Sequence, residues 1–135
     1  MTRILFLSTL FLLLIASCSK DSLVDTRANS IEDINTLPDF EARIANGVSM
    51  MFFHASWCSI CAEQRPAFEN TAEKSAFDAV FFGEIEYEAN TNINQTYVIG
   101  SFPTIVFYKD GVEESRLTGK GHSEATITST LNSLL

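Results

Sequence analysis

An α/β fold, with a mixed central sheet of four to five strands and helices on both faces, is what three features of the sequence predict. Residues 48–53 (Val-Ser-Met-Met-Phe-Phe) form a nearly unbroken apolar run, the pattern of a strand covered on both sides. Segments of strand and helix character alternate along the chain, and the last two strand-like segments are joined by a tight turn and followed by a helix. An apolar share of 46% with eleven Phe supplies a compact core within 135 residues, the length of one domain plus a tail.

The chain opens with Met1-Thr2-Arg3, one positive charge, and then an apolar run from Ile4 to Ile15 broken only by Ser8 and Thr9. That run is shorter than the ~20 residues of a membrane-spanning helix and lies where the core of a signal peptide lies. Ile15-Ala16-Ser17-Cys18 closes it and resembles the lipobox of bacterial lipoproteins. The resemblance implies cleavage before Cys18, acylation of that cysteine, and residence on the cell envelope. Ser19, where Asp would resemble an inner-membrane retention signal, favours the outer membrane. An ordinary secretory signal or a short uncleaved anchor are the alternatives. The expected division is a signal peptide over residues 1–17, a polar lipidated tether over 18–29, and a folded domain over 30–135.

Within the domain, Ile31-Glu32-Asp33-Ile34 reads as a short edge strand. Thr36, Pro38 and Asp39 mark a helix start, with Phe40 and Ile44 four apart on one face, and Asn46-Gly47 a stop. The strand over 48–53 is followed by a helix from Ser59 to about Ser75, in which Pro66 predicts a kink and Phe68 and Phe77 pack. A second long strand spans Ala79 to Tyr87, alternating over Glu84-Ile85-Glu86-Tyr87-Glu88, and a short helix follows near Ile93 to Val98. Residues 103–108 form a third strand, Lys109-Asp110-Gly111 a hairpin turn, and Val112 to Leu117 the returning strand. Ser123 caps a last helix running to Leu135, with Ile127, Leu131 and Leu134 on one face.

Two cysteines two residues apart, Cys58 and Cys61, stand between the strand over 48–53 and the helix that follows. A strand ending in Cys-x-x-Cys and opening a helix is the sequence form of a dithiol redox site. The free N–H groups and positive dipole end of the helix favour a thiolate at Cys58, and Cys61, one turn on, is placed to resolve a mixed disulfide. The net charge of −8 is spread along the chain, which excludes the clustered basic face of a nucleic-acid binder. Cys58, Cys61, His54 and His122 match a zinc inventory in number, but no second closely spaced ligand pair accompanies them. No metal or organic cofactor is expected.

The domain resembles the thioredoxin family on four features in order: Trp57-Cys58-x-x-Cys61, Pro66 five residues after the second cysteine, Phe102-Pro103-Thr104, and Lys109-Asp110-Gly111 after a strand. The resemblance implies a thioredoxin-like fold, a cis peptide before Pro103, and a Phe102 backbone beside the dithiol where an extended substrate can pair. It further implies a thiol–disulfide oxidoreductase acting on protein disulfides with a redox-partner protein, as a monomer. Trp57 would shield the dithiol and touch substrate. Three departures stand out. Ser59-Ile60 replaces the usual Gly-Pro between the cysteines, Phe52 stands where the family has a buried Asp, and Glu84 stands where it has the facing Lys. Glu84 is therefore a candidate proton relay behind Cys61, with a solvated strand residue as the alternative. His54, four residues before Cys58, is a candidate modulator of the thiolate or a packed strand-end residue. Reduction is the favoured direction. Oxidase or isomerase chemistry on the same fold, or a redox-inert peptide-binding module, are the alternatives.

Overall fold

A computed structural model describes residues 30–135. Cys18, the leader and the tether lie outside them. The elements run β1 (Glu32–Asp33), α1 (Leu37–Ile44), β2 (Val48–His54), α2 (Ser59–Ala72), a 3₁₀ turn (Ser75–Phe77), β3 (Phe81–Glu86), α3 (Thr91–Thr96), β4 (Thr104–Lys109), β5 (Val112–Thr118) and α4 (Glu124–Asn132). The five strands form one mixed sheet in the order β1-β3-β2-β4-β5. β1 and β2 pair parallel to β3, while β4 runs antiparallel to both β2 and β5.

β2 is central, and all of its residues up to Phe53 are buried, as its unbroken apolarity predicts. Period-two alternation sends its side chains into two separate apolar clusters. Met50 and Phe52 join Phe68 and Ala72 of α2, Ile127 and Leu131 of α4, and both cysteines. Met51 and Phe53 join Phe40 and Ile44 of α1 and Ile93 of α3 on the opposite face. Helices therefore cover both faces, two on each.

Local chemistry sets most boundaries. Thr36 caps α1 through its hydroxyl, which accepts the Asp39 N–H at 3.2 Å, and Pro38 occupies the first turn, where its missing N–H costs nothing. The β4–β5 turn uses Asp110 and Gly111, both at positive φ (49° and 83°), as a two-residue hairpin requires. Asp110 Oδ1 accepts the Gly47 N–H at 2.8 Å, and the Gly111 N–H donates to Ile44 O at 2.7 Å, docking the hairpin on the C-terminus of α1.

Several expected boundaries shift. α2 stops at Ala72, and Phe77 lies in the separate 3₁₀ turn, which drops its ring into the core beside Val80. The second long strand begins at Phe81, two residues later than expected. α3 ends at Thr96 because Val98 adopts φ 54° and turns the chain so that the Ile99 N–H reaches Asn94 O at 2.8 Å. α4 ends at Asn132, and the Leu134 carbonyl is taken by Lys109 Nζ at 2.6 Å.

Candidate active site

Cys58 is the N-cap of α2. Its Sγ accepts the Cys61 N–H at 3.2 Å, and its own N–H donates to Ala55 O at 3.1 Å. The sulfur thus lies at the positive end of a fourteen-residue helix, where an anion is favoured. Cys58 and Cys61 are joined in a disulfide. Cys58 is 9% exposed and Cys61 3%, so the first sulfur is the more accessible to a substrate and the second is the internal one.

Around them the structure assembles an aromatic rim. Trp57 is 63% exposed, and its ring meets Phe102 edge-on at 6.3 Å. Phe102 in turn packs against Tyr87 at 4.9 Å. The Phe102–Pro103 peptide is cis, and Pro103 O accepts the Gly119 N–H at 2.8 Å. Trp57, beside Cys58, thus meets Phe102 from a distant segment of the chain, and Phe102 packs against the apolar cluster that holds both cysteines. In the sequence Tyr87 carries only strand alternation, which gives no signal of the contact with Phe102.

Two further residues, Glu86 and Gln64, hold the site's loops, a role that no motif in the sequence signals. Glu86 Oε1 accepts the Ser56 N–H at 3.2 Å, and Oε2 accepts the Ala89 N–H at 2.8 Å, tying the loop before Cys58 to the loop after β3. Burial pulls this carboxyl upward, but the hydrogen bonds from Ala89, Ser56 and Glu88 outweigh it and hold it below the usual glutamate value. Gln64, 2% exposed on α2, donates from Nε2 to His122 O at 2.7 Å and accepts the His122 N–H at 3.0 Å, fastening the Gly119–Gly121 loop. His122 Nε2 lies 3.0 Å from Thr118 O, so this histidine serves the loop.

Beneath the dithiol lies the altered charge arrangement. Phe52 is fully buried and is the cross-strand partner of Glu84. It stacks on Phe68 at 5.0 Å and on His54 at 5.6 Å, and the Arg65 guanidinium covers its ring at 5.2 Å. Arg65 Nη1 donates to Glu84 Oε2 at 2.5 Å and lies 3.5 Å from Glu69 Oε1. His54 Nε2 is 3.7 Å from the same Glu84 oxygen, within ion-pair range but beyond a hydrogen bond. Burial pushes the His54 imidazole below its ordinary value, an effect that the nearby Glu84 carboxylate opposes and Arg65 reinforces. Among the described residues no group of three or more His, Cys, Asp or Glu is placed to hold a metal ion.

The thioredoxin family model matches residues 33–133. Thioredoxin of Chlamydia pneumoniae is 35% identical over 81 residues, covering 60% of this chain and 78% of that one. Among solved structures, Fasciola hepatica thioredoxin superposes with a TM-score of 0.68 at 26% identity, covering 78% of this chain and 100% of its own. Malassezia sympodialis thioredoxin superposes with a TM-score of 0.71 at 24% identity, covering 80% and 93%. The sheet order, the cis peptide at Pro103 and the Cys58–Cys61 disulfide at the head of α2 agree with that match: the chain belongs to the thioredoxin family and is a disulfide oxidoreductase.

Proposed function

We propose that this protein reduces protein disulfides outside the cytoplasm while tethered to a membrane of the bacterial envelope through lipid on Cys18. The observation that carries the thiol–disulfide chemistry is the position of Cys58, whose sulfur caps α2 within the apolar cluster against which Phe102 packs. A Cys58 thiolate attacks one sulfur of a substrate disulfide, giving a mixed disulfide and releasing the other substrate sulfur as a thiolate. Cys61 then attacks Cys58 Sγ, which frees the second substrate sulfur and leaves the Cys58–Cys61 disulfide. Two electrons pass to the substrate, and a redox-partner protein returns them to the dithiol.

Trp57, Tyr87 and Phe102 supply the apolar contact area for the substrate, and Glu84 stands on the proton route behind Cys61. The tether rests on the apolar run from Ile4 to Ile15 and the Ile15-Ala16-Ser17-Cys18 motif. Two or more acyl chains hold a protein stably on a bilayer, whereas one is marginal.

Insulin disulfide reduction by the intact protein, with Cys58→Ser as control, tests the activity. The equilibrium potential of the Cys58–Cys61 pair tests its direction: a value near about −270 mV supports reduction, and one near about −120 mV reverses it to oxidation. Labelled palmitate incorporated by the native chain and lost in Cys18→Ala supports the tether. Equal labelling in both overturns it.

A further inference from the structure

His54 is the histidine, among the described residues, that the loops do not use, and its ring stacks on Phe52. Its Nε2 is buried and has no hydrogen-bond partner, so in either tautomer of the neutral ring that atom is unsatisfied. Glu84 Oε2 lies 3.7 Å away, and a proton on Nε2 would turn this approach into an ion pair closed by a small side-chain movement. The groups whose charges act on the ring come from three elements: Glu84 and Glu86 of β3, Asp33 of β1, and Arg65 of α2.

The cluster also lies on the resolving cysteine's side of the sheet. His54 and Phe52, two apart on β2, share the face that α2 covers, and Phe52 packs in one apolar cluster with Cys58 and Cys61. Arg65, which grips Glu84, follows Cys61 by four residues and so shares its face of α2 one turn away.

We propose that His54 takes up the proton released by Cys61 during resolution, with Glu84 as the carboxylate that receives the resulting imidazolium and Arg65 as the residue that positions Glu84. The inference rests on the thiol–disulfide activity above and deepens it, assigning the proton to an imidazole in place of the carboxylate alone. Cys61 loses its thiol proton to His54 Nε2, its sulfur bonds to Cys58 Sγ, the bond from Cys58 to the substrate sulfur breaks, and the departing thiolate is protonated from solvent. The imidazolium then loses its proton to solvent, and solvent reprotonates Cys61 when the dithiol is reduced again. Burial, the dominant influence on the ring, keeps it uncharged near neutral pH and therefore able to accept.

The test uses the reduced protein and an aromatic disulfide, dithionitrobenzoate, whose two released thiolates are followed by rapid mixing. The first release reports attack by Cys58 and the second reports resolution by Cys61. The native protein should show an imidazole ionisation in the pH profile of the second phase. His54→Phe keeps a ring against Phe52, so it should leave the first phase near native while slowing the second on the order of a hundredfold at neutral pH and erasing that ionisation. A second phase with unchanged rate and profile in His54→Phe overturns the proposal, as does slowing in Glu84→Gln alone, which would make the carboxylate the acceptor. Absence of any second phase in the native protein would instead overturn the oxidoreductase reading. If His54→Phe does not fold, nitrogen-15 titration of the native imidazoles decides. The His54 midpoint should differ between oxidised and reduced protein while His122 stays constant, and an equal His54 midpoint in both states overturns the proposal.

Discussion

Glu86 accepts N–H groups from two loops, Ser56 on one side and Ala89 on the other, and so a single carboxylate aligns Trp57 and Cys58 with Tyr87. The geometry follows from β3 alternation: Glu86 is the cross-strand partner of His54, where β2 gives way to the redox loop. Val98 is a second residue set by its surroundings. It is β-branched, 77% exposed and at φ 54°, a conformation that costs such a residue on the order of 1–3 kcal/mol. Arg116 holds that turn by donating to the carbonyls of Val98 at 2.9 Å and Tyr97 at 3.1 Å. Val98→Gly removes the strain at some cost in chain entropy, so it should stabilise the domain by about 1 kcal/mol in urea unfolding. His54 predicts a pH dependence. Its folded-state value lies below the ordinary 6.5, so below about pH 6.5 the unfolded chain binds the proton more readily. Stability should therefore fall as pH drops from 6.5, and the His54→Phe variant should show a shallower loss in urea midpoints measured from pH 7.5 to about 5.5. The roles of Glu86 and Val98 are not visible in the sequence, because each is defined by a partner from another segment.

At the scale of elements, β3 is constrained most tightly at Gly83. A Cβ there would stand 2.7 Å from Met51 Sδ, 3.0 Å from Phe81 Cε1 and 3.2 Å from Ile34 Cγ1. Met51 and Ile34 are fully buried and cannot swing clear, so Gly83→Ala should destabilise by about 1–3 kcal/mol, read as a lower urea midpoint with an unchanged slope. Helix starts were legible because caps are local: Thr36 and Ser123 both accept the N–H three residues on. Helix ends were less so. Residues 71–75, Thr-Ala-Glu-Lys-Ser, contain no breaker, and α2 ends there because Phe77 and Val80 enter the core. The 3₁₀ turn is the result of that tertiary demand.

Across the whole molecule, the dithiol belongs to one of two apolar clusters separated by the sheet, and that cluster also holds α4 through Ile127 and Leu131. Cys61 is therefore held by packing from both helices, while Cys58 stands at the surface end of the same layer. Cys61→Ser removes the resolving sulfur without opening the core, so it should accumulate covalent complexes with protein substrates. These would appear as high-mass bands on non-reducing gels, disappear on reduction, and be lost in Cys58→Ser. The same variant, applied in the native compartment, would identify the substrates.

The sequence by itself determined the fold class and the dithiol, because each is carried by local patterning or by short motifs in a set order, and the resemblance carried by Phe102-Pro103-Thr104 implied the cis proline. Strand and helix periods are properties of neighbouring residues, and Cys-x-x-Cys at a helix start brings its own field with it. Only the tertiary structure decided what surrounds the sulfurs. It placed Tyr87 on the aromatic rim, gave Glu86 and Gln64 the two site loops, and set His54, Glu84 and Arg65 around Phe52. These contacts join residues 13 to 58 positions apart, and their existence depends on parallel register between β2 and β3 and on the face of α2 that meets the sheet. No local pattern encodes that register, so the proton chemistry of the site is a property of the assembled fold.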